Sequence, residues 1–403
     1  MTNIAPAPDK LLTECVICGG EDTQIIHNVS EAPIYPFRPS EVKSEGGFGA
    51  LVITRCLGCG HLYNAAFDLS AAEELYGAFV LTNTPVSENM VRSVEHTADW
   101  IASGAECDDT VLEVGGGAGA LALALARRGS DVHLVEPSRA LAPDRFAGTG
   151  VTFYQSMFPT SALGNRTFDI VICRQVLEHV PAPAPFLSDL RARLNDGGIA
   201  YIEIPSAEYI VANKSIIDFH YPHVHYYSRS GVAALFSRAG FEIAESCVVK
   251  NGHDVGFLLR GTAPATADPP HDDRGGLPDA LNRVRQKGAA RLAAISGPIA
   301  LYGANAYSQA LVGLFPNYQQ FVAMYDDTES YIGYSAYGAK VELPIGPPDR
   351  QQLEGIAAVI ITAYLHDETI ARNLRTLGYG GQILTVRCDQ TVNQGEKPKG
   401  LFR

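Results

Sequence analysis

Two stretches of this 403-residue chain concentrate groups that bind metals or move protons. One is the decapeptide "FHYPHVHYYS", Phe219 to Ser228, with three histidines and three tyrosines. The other is a doubled Cys-x-x-Cys step: Cys15 with Cys18 in "CVICGG", and Cys56 with Cys59 in "CLGCGHLY". A two-residue spacing followed by glycine makes a tight knuckle whose backbone N–H groups can point at thiolate sulfur, and four thiolates suit tetrahedral zinc. The doubled spacing favours a metal site over a redox pair or four unconnected thiols. Four thiolate ligands leave no open position, so the zinc is expected to be structural. Cys107, Cys173, Cys247 and Cys388 are scattered. For the decapeptide the bland reading is an aromatic-rich strand edge; the functional reading depends on what precedes it.

What precedes it is a glycine-rich turn. "VLEVGGGAGALALAL" places Glu113, Gly115, Gly117 and Gly119 at the end of an expected strand and the start of a helix. Glycines there permit a sharp turn and close approach of a ligand to the backbone. The following strand, "DVHLVEPS", ends on Glu136, where a carboxylate can accept both hydroxyls of a ribose. This pattern alone fits a nicotinamide dinucleotide as well as S-adenosylmethionine.

These motifs need elements to position them. Residues 1–85 read as a small zinc-binding unit. Residues 86–262 alternate strand and helix: "TVLEVG", "ALALALARRG", "DVHLVEPS", "FDIVICRQV", "FLSDLRARL", "GIAYIEIPS" and a Ser-capped helix leaving at Gly240. That alternation predicts an α/β domain with a doubly wound, mostly parallel sheet. The Pro- and Gly-containing stretch 261–278 is a linker or exposed crossing. Residues 263–403 repeat the βα alternation from "IALYGA" to "GQILTV", a second Rossmann-like unit. A net charge of −13 disfavours nucleic acid. No apolar run is long enough to span a membrane, and the start "MTNIAPAPDKLLTECVICGG" lacks the apolar core of a signal peptide, so the expected location is cytoplasmic.

The ordered set "VLEVGGGAG", "VEPS" and "FDIVICRQVLEHVPAPAPFLSDLRARLNDGGIAYIEIP" resembles the motifs of class I S-adenosylmethionine-dependent methyltransferases. The resemblance implies that the glycine loop faces the methionine part and that Glu136, with Pro137 and Ser138, holds the ribose. It also places Gln155 and Ser156 of "FYQSMF" at the adenine and Gln175 beside the sulfonium. The order of the three units resembles the sugar-nucleotide C-methyltransferases, which methylate carbon beside a ketone in nucleotide-linked deoxysugars, as in antibiotic biosynthesis. The implied cofactors are S-adenosylmethionine and a structural zinc, and the implied partner is a small-molecule substrate.

C-methylation needs a base to remove the proton beside the ketone and donors to hold the enolate oxygen; histidine, with a pKa near neutrality, suits the first task. No metal is needed for this, because the sulfonium carries the leaving group. The family has a Tyr-x-Glu-His run here. Its His falls on His223, its Glu on Pro222 and its Tyr on His220, so the base is kept and two neighbours differ. His179 in "VLEHVPAP" is the second catalytic candidate. His225 is the third, sharing a face with His223 if the segment is extended. Candidate substrate contacts are Tyr76 and Phe79 in "LYGAFVLTN", His220, Tyr221, and Asn251 and His253 in "NGHD". Competing readings are an O- or N-methyltransferase of a small metabolite, a non-enzymatic binding protein on the same fold, and a nicotinamide oxidoreductase.

Overall fold

The computed structural model describes residues 11–34, 37–39, 48–68, 85, 88–103, 109–267, 275–315, 319–337, 342–386 and 399–402. Tyr76 and Phe79 lie outside these residues.

The N-terminal segment contributes β1 (Thr23–Pro33), β2 (Phe37–Pro39), β3 (Phe48–Cys56) and β4 (Leu62–Asn64). β1, β3 and β4 pair antiparallel in that order. The run "LVITRC" forms the buried end of β3, and the second cysteine pair follows at once.

The middle segment begins with α1 (Glu88–Ala102), then β5 (Thr110–Val114), α2 (Ala120–Ala126), β6 (Asp131–Val135) and β7 (Val151–Tyr154). It continues with β8 (Phe168–Arg174), α3 (Pro183–Ala192), β9 (Leu194–Pro205), α4 (Ala207–Asn213), β10 (His225–Tyr226), α5 (Arg229–Arg238), β11 (Phe241–Val249) and β12 (Asp254–Gly261). Seven of these strands form one sheet in the order β11-β12-β9-β8-β5-β6-β7. β9, β8, β5, β6 and β7 are parallel; β12 runs antiparallel between β9 and β11. The central strands β5 and β8 are almost wholly buried, which is why they read as continuous apolar runs rather than alternating ones. Strand order reverses between β5 and β8, which is the switch point at which doubly wound sheets bind ligands beyond the carboxyl ends of their strands. The expected serine cap is present: Ser228 Oγ accepts from the Gly231 N–H at 3.1 Å and starts α5.

The C-terminal segment holds α6 (Leu277–Ala293), β13 (Ile299–Tyr302), α7 (Ala306–Leu314), β14 (Phe321–Tyr325), β15 (Tyr334–Tyr337), β16 (Glu342–Gly346), β17 (Ala358–Ile361), α8 (Asp367–Thr376), β18 (Gln382–Thr385) and β19 (Lys399–Gly400). β19, β18, β17, β13, β14 and β16 are parallel neighbours, and β15 is antiparallel to β16.

Two exchanges tie the segments together. β10 leaves the middle segment and pairs with β4, setting His225 opposite Tyr63 and Tyr226 opposite Leu62. β2 leaves the N-terminal segment and pairs with β15. One apolar core therefore joins Val29 and Leu51 to Phe219, Leu311 and Phe321.

Candidate active site

The two cysteine knuckles are built alike. The Gly19 N–H donates to Cys15 O at 2.8 Å, and the Gly60 N–H donates to Cys56 O at 2.9 Å. Both glycines have left-handed φ, 70° and 78°, so each turn closes on a residue that tolerates it. Cys15 Sγ lies 3.6 Å from Cys59 Sγ, and Cys18 Sγ lies 3.5 Å from Cys56 Sγ. A disulfide needs about 2.05 Å. A tetrahedron with zinc–sulfur bonds of about 2.3 Å has edges of about 3.8 Å, so the four thiols have the dimensions of a zinc site. A Cβ on Gly20 would lie 3.3 Å from Cys18 Sγ, a tight approach, whereas one on Gly58 would make ordinary contact at 3.5 Å.

At the glycine loop, Gly115, Gly117 and Gly119 all take positive φ. A Cβ on Gly115 would meet Val176 Cγ2 at 2.3 Å, and one on Gly119 would meet the Phe146 ring at 2.5 Å. These two glycines are thus required by protein packing, besides any approach of ligand. Glu136 is 8% exposed at the end of β6. Its Oε2 accepts from Gly117 N–H at 2.9 Å and its Oε1 from Ser138 N–H at 3.0 Å. Burial raises its pKa, opposed by these two donors. A carboxylate has about four acceptor positions; two are used here, and two remain for a diol.

Three expected cofactor contacts have structural duties. Glu113 lies buried beneath the loop and accepts from the Ala122 N–H in α2; burial pushes its pKa up to about 7. Gln155 is exposed and donates to the carbonyls of Ser138 and Leu141 at 2.9 and 3.2 Å, pinning the turn after β6. Ser156 donates to the Thr160 hydroxyl at 3.1 Å. Pro137 is half-buried in the same turn as Glu136 and Ser138.

Gln175 directly follows β8 in a left-handed conformation, φ 55°. Its side-chain amide donates to Asp254 at 3.0 Å and approaches Glu203 at 3.4 Å. From there a buried chain of polar side chains runs on to the C-terminal segment. Glu203 holds Arg174 at 3.2 Å and accepts from the Tyr201 hydroxyl at 2.7 Å. Asp254 contacts Lys250 and His253, and His253 Nε2 reaches Asp218 at 3.0 Å and the Tyr307 hydroxyl at 3.2 Å. Burial alone would depress His253, but Asp254 and Asp218 outweigh it and hold its pKa up at about 10. His253 is therefore an imidazolium between two carboxylates, joined to the C-terminal segment through Tyr307. Sequence reasoning missed Arg174, Glu203, Lys250, Asp254 and Tyr307. Of this chain the sequence pointed only to "NGHD", through Asn251 and His253.

The histidine wall stands beside this chain. His179 Nδ1 donates to Pro222 O at 2.7 Å, so Pro222, unable to act through its side chain, orients His179 through its carbonyl. The His179 and His223 rings meet edge to face at 4.8 Å, and His220 lies 3.9 Å from His223. Burial lowers all three: His179 to about 4, His220 to about 3, and His223 well below its usual value. The wall adjoins the glycine loop through Val176.

Other expectations are corrected. Residues 220–223 form a turn, with His223 N–H donating to His220 O at 3.2 Å, so His223 and His225 do not share a strand face. His225 is 1% exposed; its Nε2 donates to Pro181 O at 3.2 Å and its Nδ1 meets His61 Nε2 at 3.2 Å. Both ring nitrogens are used in fastening β10, which removes His225 from the catalytic candidates. Tyr221 packs under β3: a Cβ on Gly49 would sit 2.2 Å from its ring, and its hydroxyl accepts from Asp68 N–H. Its position is structural. His220 turns its other side to a small cavity lined by Leu51, Phe219 and Ala310. Asn251 is exposed at the turn.

Residues 86–246 match the family described as a methyltransferase domain. The middle segment is a methyltransferase domain. The comparisons support a methyltransferase that uses S-adenosylmethionine. A "Ubiquinone biosynthesis O-methyltransferase" from Paramagnetospirillum magneticum is 36% identical over 94 residues, 22% of this chain and 38% of its own length. The "C-methyltransferase NovU" from Streptomyces niveus is 27% identical over 188 residues, 45% of this chain and 43% of its own length. The chain thus spans less than half the length of either relative. Among solved structures, the PH0226 protein from Pyrococcus horikoshii OT3 aligns at 17% identity with a TM-score of 0.39, covering 45% of this chain and 96% of that one. Among the described residues no helix is long and apolar enough to cross a membrane.

Proposed function

We propose that the protein is an S-adenosylmethionine-dependent C-methyltransferase acting on carbon next to a ketone of a small acceptor, a nucleotide-linked keto deoxysugar. The observation that carries the reading is the pair His179 and His223. His179 stands in the turn that follows β8, His223 packs against it, and burial keeps both in the proton-accepting form. When bound, S-adenosylmethionine supplies an electrophilic methyl group on a sulfonium. Glu136 has acceptor capacity left for its ribose hydroxyls, and Gln175 is held rigid by Glu203 and Asp254 at the strand end nearest the wall. His223 takes the proton beside the ketone, and His179, fixed by Pro222, packs its ring edge against His223 and holds it in place. The polar chain from Glu203 to Tyr307 lines the acceptor side; His253 and Lys250 offer cationic groups there to an anionic acceptor.

Within the same reading, residues 1–85 are a zinc-binding unit in which Cys15, Cys18, Cys56 and Cys59 hold a structural zinc. Residues 263–403 are a Rossmann-like unit that closes the acceptor side.

A second reading, O-methylation, is favoured by the 36% identity of the O-methyltransferase relative. The same histidine can take a hydroxyl proton. Product NMR separates the two. Full-length protein is incubated with methyl-labelled S-adenosylmethionine and a panel of nucleotide-linked keto sugars. The expected product carries the label on carbon adjacent to the ketone. Label on oxygen contradicts the C-methylation reading.

A further inference from the structure

His223 presents a difficulty as a base. Burial lowers its pKa, and the neighbouring His253 and Lys250 cations lower it further, so it resists protonation. A weak base removes a carbon-bound proton slowly.

The residue before His179 supplies the missing charge. Glu178 is 1% exposed, and neither carboxylate oxygen has a hydrogen-bond partner. A buried carboxyl left without partners is costly, and such groups are retained where something other than stability needs them. Its oxygen and the ligand-competent nitrogens of His179 and His223 lie within 4.8 Å of one another. The backbone fixes the arrangement: Val224 N–H donates to Glu178 O at 2.8 Å, holding the histidine turn against the Leu177–His179 turn.

We infer that Glu178 is the positioning carboxylate of His223, forming with it the carboxylate–imidazolium pair that exists once the acceptor's proton has been taken. This rests on the reading of His223 as the base. As the acceptor's C–H bond breaks, its electron pair enters the enolate and its proton forms an N–H bond on His223. Glu178, ionised, then faces the new cation. After the product leaves, the proton is released to solvent.

The surroundings support this. Besides the two histidines, Glu178 is faced by Cys173, Tyr227, Glu203, Lys250 and Asp254. His223 is faced by His220, His179, His253 and Lys250, with the Tyr226 ring at 5.9 Å. Burial, with Asp254 and Glu203 adding to it and Lys250 opposing, pushes Glu178 up to about 8. Glu178 is therefore mostly protonated at neutral pH and ionises as the pH rises through that region; if it pairs with His223, the two groups must titrate together.

The test uses the full chain as Glu178→Gln and Glu178→Asp, with two readouts. The first is the histidine NMR titration with S-adenosylhomocysteine present, His223 being assigned by comparison with His223→Asn. The second is the pH dependence of kcat/KM with the best acceptor of the keto-sugar panel. In the wild type, activity should rise with pH about a midpoint near pH 8 and level off above it. In Glu178→Gln that limb should move below pH 6 and the plateau should fall roughly tenfold or more, within the range a general base contributes. Glu178→Asp should restore the limb in part. If Glu178→Gln does not fold, the carbon-labelled carboxyl of Glu178 in the wild type must titrate together with His223. An unmoved limb with an unmoved His223 titration overturns the inference, and so does separate titration of the two groups. Saturable binding of Mn2+ that is lost in Glu178→Gln would also overturn it, making the three groups a cation site. Near wild-type turnover in His223→Asn would instead sink the base assignment itself.

Discussion

Glu136 shows how much one side chain determines at this site. Its two oxygens close the glycine loop onto the turn after β6, and its remaining acceptor positions are those a ribose would use. Glu136→Ala is expected to weaken S-adenosylmethionine binding by about 1–3 kcal/mol, the cost of leaving buried donors without an acceptor. Calorimetry showing unchanged affinity would remove Glu136 from the cofactor site. This residue was legible in the sequence because it ends a strand after a glycine-rich turn, a local pattern. His225 was not. Its distance from His223 was read as strand periodicity, but a turn at 220–223 breaks that period. The partner that claims its ring, His61, is far away in sequence. Asp254 and Glu203 were illegible for the same reason: their meaning depends on Lys250, Arg174 and Gln175 arriving from other strands. The second duty of Gln155, pinning the turn after β6, was not legible, because the carbonyls it reaches lie 14 and 17 residues away.

At the scale of elements, the two cysteine knuckles sit beside structure that belongs to other segments. α5 reaches the first knuckle: Arg238 donates to Ile17 O at 2.6 Å. β10 is stitched to β4 next to the second. A metal joining the knuckles would therefore brace one end of the decapeptide turn. Cys18→Ser is expected to lower the thermal stability of the whole chain and to release zinc, because the folded site supplies binding free energy that the unfolded chain lacks. Elemental analysis of freshly purified wild type is the check, and a finding of no metal would contradict a zinc site there. The strands and helices of the middle sheet were readable because parallel strands buried on both faces leave continuous apolar runs and their crossovers leave helical periods. β10 was not readable, being two residues whose strand character comes entirely from β4. The exchange of β2 into the C-terminal sheet was equally invisible, since a three-residue edge strand has no pattern of its own.

On the scale of the whole molecule, three sheets meet around one turn. The methyltransferase domain presents the glycine loop, Gln175 and His179. The decapeptide carries His223 across from it, anchored through β10 to the N-terminal sheet. The C-terminal segment brings Tyr307 to His253. The account joins these into one event: His223 takes a carbon-bound proton while S-adenosylmethionine is held at the neighbouring strand ends. The most direct test is His223→Asn, which keeps size and some hydrogen bonding but removes the proton acceptor. With the panel acceptor that is turned over, the wild type should exchange the hydrogen beside the ketone for deuterium in heavy water with S-adenosylhomocysteine in place of the methyl donor. The variant should not exchange. Its turnover should fall by roughly 10²–10⁴-fold, the usual contribution of a general base, while S-adenosylmethionine affinity stays as in the wild type. Turnover and exchange near the wild-type level in His223→Asn would contradict the account.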